Sequence, residues 1–234
     1  MTSKTHGTHR WIEACFLAFL GCIVLLDAGP VIAFEIAPKW SVSAGTGSAN
    51  AVTVGPGGDV YVTGHTVGAT ENYRTVRYTS TGTVVWSKTY NGPGSGTDIA
   101  TAIAVDATGN VYVTGRSKGN GSELDYATIK YAPDGTQLWV ARYNGPDSDD
   151  DEAVAIAIDA TGNVYVTGES RPAGTGASAY ATVKYDTNGN QLWAKRLSGG
   201  KASALAVDAA GNVYVTGTAN GATTVKYNSS GTQL

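Results

Sequence analysis

The chain has 234 residues, a formal net charge of −3, only 15% charged residues and 31 glycines. That length suits one domain with a sizeable core, and the charge balance leaves no basic footprint for nucleic acid and no polybasic patch for a membrane surface. Few charges with many Gly, Thr, Val and Tyr suit short strands joined by tight turns.

Residues 1–33 differ from the rest. Lys4 and Arg10 give a weakly basic start, an apolar run extends from Ala14 to Leu26, and Asp27-Ala28-Gly29-Pro30 breaks it. Val31-Ile32-Ala33 then offers short side chains to a signal peptidase, so a secretory signal cut between Ala33 and Phe34 is expected. A retained anchor would need about 20 apolar residues, more than this run holds. Cys15 and Cys22 both lie in the segment, so the mature chain 34–234 is expected to hold no disulfide and no thiol chemistry. Cys22 follows Phe19-Leu20-Gly21, but apolar residues continue past it, which fits an ordinary residue of the run better than a lipoprotein cysteine.

Downstream, the sequence repeats. Val-Tyr-Val-Thr-Gly starts at Val60, Val111, Val164 and Val213. An Ala-rich alternation precedes each copy (Ala102-Ile103-Ala104-Val105 is typical), a Tyr/Thr segment follows, and Trp86, Trp139 and Trp193 open a fourth segment. The units fall at about 49–90, 100–143, 153–197 and 202–234. The turns agree: Asp106 to Asn110, Asp159 to Asn163 and Asp208 to Asn212 link the first two segments. Asp accepts hydrogen bonds from amides ahead of it, and Gly supplies the positive φ that reverses the chain. Pro133-Asp134-Gly135 and Asn188-Gly189 read as hairpin turns between segments three and four.

A repeated four-stranded antiparallel meander predicts an all-β fold, a β-propeller with four-stranded blades. A β-helix or a sandwich explains the period less simply. The Ala-rich first strands are expected near the axis and buried on both faces. The third strands, with Arg77, Lys130, Lys184 and Lys226 at matching positions, are expected farther out. The residues 102–115 and 126–131 resemble the bacterial SBBP repeat, a seven-bladed β-propeller repeat of exported and surface proteins. The resemblance covers about residues 37–234 and implies fold and location. It carries over no catalytic or binding residues. The chain departs from it in having four units and in Gly55-Pro56-Gly57-Gly58, which replaces the Asp-type turn in the first. The fourth unit stops at Thr232-Gln233-Leu234, matching the tripeptide before Trp139, so an incomplete propeller with blades beyond Leu234 is expected. The alternative is a closed four-bladed ring in which the Trp40 strand completes the last blade.

Chemistry-bearing patterns are sparse. His65 is the single histidine after the leader, and without a Gly-x-Ser-x-Gly elbow it reads as an exposed loop residue rather than a catalytic base. Zinc sites of Cys and His are excluded by the inventory. Asp147, Asp149, Asp150, Asp151 and Glu152 could offer oxygens to Ca²⁺, yet the EF-hand Gly and twelfth-position Glu are missing, and a solvated connection is expected. Gly92-Pro93-Gly94-Ser95-Gly96 precedes a strand instead of a helix, so it is no phosphate cradle. The recurrent cations could line an anionic-ligand ring. Pairing with Asp106, Asp159 and Asp208, or facing water, is expected instead. Tyr61, Tyr112, Tyr165 and Tyr214 suit packing between blades better than a sugar platform.

No catalytic, cofactor-binding or metal residue is assigned, and the ligand-binding residues are undetermined. The expected function is a secreted, periplasmic or cell-surface scaffold or binding module, not an enzyme. It would take a protein or glycan partner, with no nucleic acid and no membrane insertion of the mature chain. A carbohydrate-binding propeller, or the propeller part of a larger extracellular enzyme, are the alternatives.

Overall fold

A period-two apolar pattern broken every few residues by Asp, Asn and Gly can satisfy its backbone only in short antiparallel strands. The computed structural model describes residues 40–43, 45–121, 123–146, 149–172, 176–219 and 221–234, so the leader lies outside the described residues. Blade 1 comprises β1 Gly47–Val54, β2 Val60–Thr66, β3 Tyr73–Tyr78 and β4 Val84–Tyr90. Blade 2 follows as β5 Asp98–Val105, β6 Val111–Lys118, β7 Leu124–Tyr131 and β8 Gln137–Tyr143. Blade 3 is β9 Asp151–Ile158, β10 Val164–Ser170, β11 Ala179–Tyr185 and β12 Gln191–Ser198. Blade 4 has β13 Gly200–Val207, β14 Val213–Ala219 and β15 Ala222–Tyr227. Each blade is a separate antiparallel meander in chain order, and blade 4 has three strands plus an isolated bridge from Tyr227 to Gln233.

First strands of successive blades pack on one another, β1 on β5, β5 on β9 and β9 on β13, which puts them innermost. Successive blades pack on one another in chain order, and no closed sheet occurs among the described residues. The first strands β5 and β9 are half-exposed rather than buried on both faces. The third strands also correct the expectation. β7 and β11 are almost wholly buried, since the middle of a blade is covered by a neighbour on each side.

One face of every sheet carries the Tyr of Val-Tyr-Val-Thr-Gly, and the other carries its two Val residues. At each seam the Tyr face of one blade meets the Val face of the next. Tyr61, Tyr73 and Trp86 pack on Val111, Val113, Ile129 and Tyr131, and the same arrangement recurs at the next two seams. The glycine closing the pentapeptide has a specific cause. The first strand bulges opposite it, and a Cβ on Gly115 would sit inside the Ile99 carbonyl oxygen; Gly64, Gly168 and Gly217 face the same obstacle.

The Asp turns are built as the sequence implied. Asp159 accepts from the Thr161 and Asn163 amides and side chains, and from the Tyr165 hydroxyl at 2.9 Å. Asp106 and Asp208 repeat the arrangement with Tyr112 and Tyr214. Burial alone would raise the Asp159 carboxyl, but these hydrogen bonds outweigh it and hold its pKa at about 2. Asp106 and Asp208 are lowered as well. Because the folded values lie below the unfolded value near 3.9, the contribution is complete above about pH 4 and is lost as pH falls toward 2. Urea midpoints measured across that window are expected to drop, and to drop less steeply in Asp159→Asn. Parallel profiles for the two proteins would refute the assignment.

Candidate functional site

Because each seam repeats the same chemistry, the geometry separates residues that hold blades together from residues free to differ. Trp86, Trp139 and Trp193 each reach onto the turn that follows the third strand of the next blade. Their Nε1 atoms donate to the carbonyls of Pro133, Thr187 and Ser229 at 2.9, 3.0 and 3.2 Å. Each indole lies between two tyrosines, Trp139 between Tyr112 and Tyr185. The turn glycine below has a positive φ, and a Cβ on Gly189 would stand 2.8 Å from the Trp139 ring.

Lys130 and Lys184 neither pair with Asp106, Asp159 and Asp208 nor face water, while Lys226 is half-buried over the Tyr214 ring at 5.2 Å. Lys130 and Lys184 are buried, lie over the Tyr112 and Tyr165 rings at 5.1 and 5.0 Å, and donate to the Thr187 and Ser229 carbonyls. The Tyr hydroxyl already holds the Asp, so the amine is directed across the seam. In blade 1, which lacks the turn Asp, Arg77 donates to the equivalent Pro133 carbonyl across the seam and also binds Asp59 at 2.6 and 2.8 Å. The tyrosines Tyr61, Tyr112 and Tyr165 are buried within the seams, so they offer no sugar platform, and Tyr214 is half-buried.

The opposite rim carries the connections between blades and the loops between second and third strands. Asp98 and Asp151, both fully buried, tie these connections by accepting the Gly92 and Gly145 amides. The acidic run is therefore not simply a solvated connection. Asp151 opens β9 inside the fold, and burial raises its carboxyl pKa against hydrogen bonds that lower it. Asp150 accepts the Leu124 amide and pairs with Arg171, and Glu152 pairs with Arg116 at 3.0 Å; Asp147 lies outside the described residues. No cluster that could hold a metal ion occurs among the described residues. Amides of the Gly-rich segment are also engaged internally, Gly94 with the Lys118 carbonyl.

His65 corrects another expectation. It is no loop residue but lies in β2, half-buried, 3.6 Å from Glu71. It occupies the position after the pentapeptide glycine, where Arg116, Glu169 and Thr218 stand in the other blades. Here the repeat stops repeating, and the side chains meet those at the start of the neighbouring first strands. Between blades 2 and 3 this produces a charged cluster of Arg116–Glu152, Glu169–Arg171 and Arg171–Asp150 ion pairs. Beside it, Arg142 bridges Ser117, Tyr90 and the mostly buried Asp125. The sequence reading missed Asp98, Asp125 and Arg142. The recurrence of Asn-Gly-Pro with an Asp six residues after the glycine, at Gly92 and Gly145, was the available signal for Asp98 and Asp151.

An array of four-stranded antiparallel sheets, packed face to face around their first strands, is a β-propeller fold. More narrowly, residues 85–121 and 193–222 match the SBBP family model, described as a beta-propeller repeat. No curated protein matches the chain. A crystal structure of a protein of unknown function from Bacteroides caccae is 15% identical with a TM-score of 0.53, covering 83% of this chain and 62% of that one. A gluconolactonase from Xanthomonas campestris is 14% identical with a TM-score of 0.46, over 80% of this chain and 60% of its own. This chain thus spans less than two thirds of either protein's length, and the first likeness concerns fold alone.

Proposed function

We propose that the chain is an exported, non-enzymatic binding scaffold whose recognition surface is the rim bearing His65, Arg116 and Glu169. The observation that carries this reading is internal to the chain. Seam residues keep their identity from blade to blade, whereas the residue after each Val-Tyr-Val-Thr-Gly and the adjoining loops change, and these changes gather on one rim. A rigid repeat array with a variable edge is the usual division of labour between holding a fold and contacting a partner. Export is supported by the order of charges, apolar run and small residues in 1–33. No helix among the described residues is long and apolar enough to cross a membrane.

The test is binding of the chain to a glycan array and to extracellular proteins of bacteria, alongside a variant carrying Arg116→Ala, Glu169→Ala and Arg171→Ala. A ligand whose retention falls at least tenfold in the triple variant supports the rim. Retention unchanged by those substitutions, or hydrolytic turnover of a bound sugar, would overturn the proposal.

A further inference from the structure

The seam between blades 1 and 2 and the seam between blades 2 and 3 bring the same set of positions together, and one of those positions differs. In the first, Arg142 lies beside Asp98 and Ser117. Its guanidinium donates to the Ser117 hydroxyl and carbonyl at 2.8 and 2.7 Å, to the Tyr90 hydroxyl at 3.2 Å and to the Asp125 carboxylate at 2.8 Å. Register fixes the counterparts one blade later. Ser117 pairs with Asp125 and Ser170 with Ala179, while Arg142 pairs with Ala127 and Arg196 with Ala181. Tyr143 and Asp151 stand for Tyr90 and Asp98. The arginine is therefore repeated, and the methyl group of Ala179 replaces the carboxylate that it held.

Arg196 shows the loss. Its Nη2 donates to the Ser170 carbonyl at 3.4 Å, its buried Nε has no hydrogen-bond partner, and it makes no ion pair among the described residues. Around it, Ala179 is 2% exposed, and Ser170 and Asp151 are fully buried. A guanidinium keeps its charge at every ordinary pH, and a buried donor left without a partner is costly. Its Nε–H and Nη–H lie side by side in one plane, a fork that the two oxygens of a carboxylate match. Asp151 does not forbid an anion there. Arg142 holds Asp125 although Asp98 occupies the same place in its own seam.

Size narrows the choice of ion. Asp and Ala differ by a single carboxylate group, so the room left at Ala179 is that of formate. Access is from the outermost strand, where the exposed Ser198 pairs with Ala179 and Arg196 is itself only half-buried. An ion of this shape would rebuild the charge set of the preceding seam, one cation with two carboxylates.

We infer that the seam between blades 2 and 3 holds a binding site for a small carboxylate anion, formed by Arg196, Ser170 and the space beside Ala179. The site stands apart from the charged rim and does not depend on it. Proton–nitrogen NMR of the arginine Nε–H groups reads it directly, with the Arg196 signal assigned by its loss in Arg196→Lys. Sodium formate is expected to move that signal saturably. Sodium chloride at equal ionic strength should leave it in place, and the Arg142 signal should stay fixed in both salts. Ala179→Asp supplies the carboxylate within the chain, so its Arg196 signal should no longer respond to formate. Asp125→Ala does the converse and should make the Arg142 signal respond. A native Arg196 signal that ignores formate, or moves equally with chloride, would overturn the inference whatever the variants do. So would a response that survives in folded Ala179→Asp, or silence at Arg142 in folded Asp125→Ala.

Discussion

Trp86→Ala is expected to destabilise the chain by about 3–5 kcal/mol, the range for truncating a buried large aromatic. The indole is only 8% exposed, stands 6.3 Å from the Tyr61 ring and 6.0 Å from the Tyr131 ring, and covers Gly135. Truncation would remove both ring contacts and the hydrogen bond to Pro133, leaving a void between two rigid sheets that cannot collapse onto each other. Trp139 and Trp193 make the same contacts but are half-exposed, so their replacement by Ala should cost less. Denaturant unfolding followed by circular dichroism decides the matter. A loss at Trp86 below about 1 kcal/mol, ordinary for surface positions, would show that the seam does not depend on it.

Gly115→Ala is expected to cost about 3 kcal/mol or more, at the upper end of overpacking effects, although it adds a single methyl. Gly115 has an ordinary backbone conformation, so the obstacle is not φ but the Ile99 carbonyl and the Ala100 Cα, 2.8 Å from the new carbon. Both belong to the bulged backbone of β5, which cannot retreat without breaking its pairing with β6. Gly121→Ala gives the contrast. There φ is +79° with open space around the new carbon, so only left-handed strain of about 1–2 kcal/mol applies. Equal losses at the two positions would mean that the bulge yields easily.

Much of this architecture was legible because each repeated residue has a local cause. Asp159 closes its own turn, Gly189 supplies a positive φ, and alternation in Ala155-Ile156-Ala157-Ile158 sets the faces of β9. The sequence could not tell where Lys130 points. Its partner, the Thr187 carbonyl, is a backbone atom 57 residues away with no side-chain signature. Asp151 was hidden for a different reason. Its neighbours Asp149 and Asp150 made it look like one charge among several, whereas the start of the strand turns it inward to cap Gly145. The candidate rim was the least legible part. It is defined by positions where the repeat fails, and those acquire meaning only once the blades bring Arg116, Glu152 and Arg171 together.

The seams also bear on how such a chain can change over generations. Every inner contact joins the same front to the same back, so a duplicated or deleted unit leaves two neighbours that still recognise each other. Unequal recombination between the near-identical Val-Tyr-Val-Thr-Gly stretches could lengthen or shorten the array without inventing a new interface.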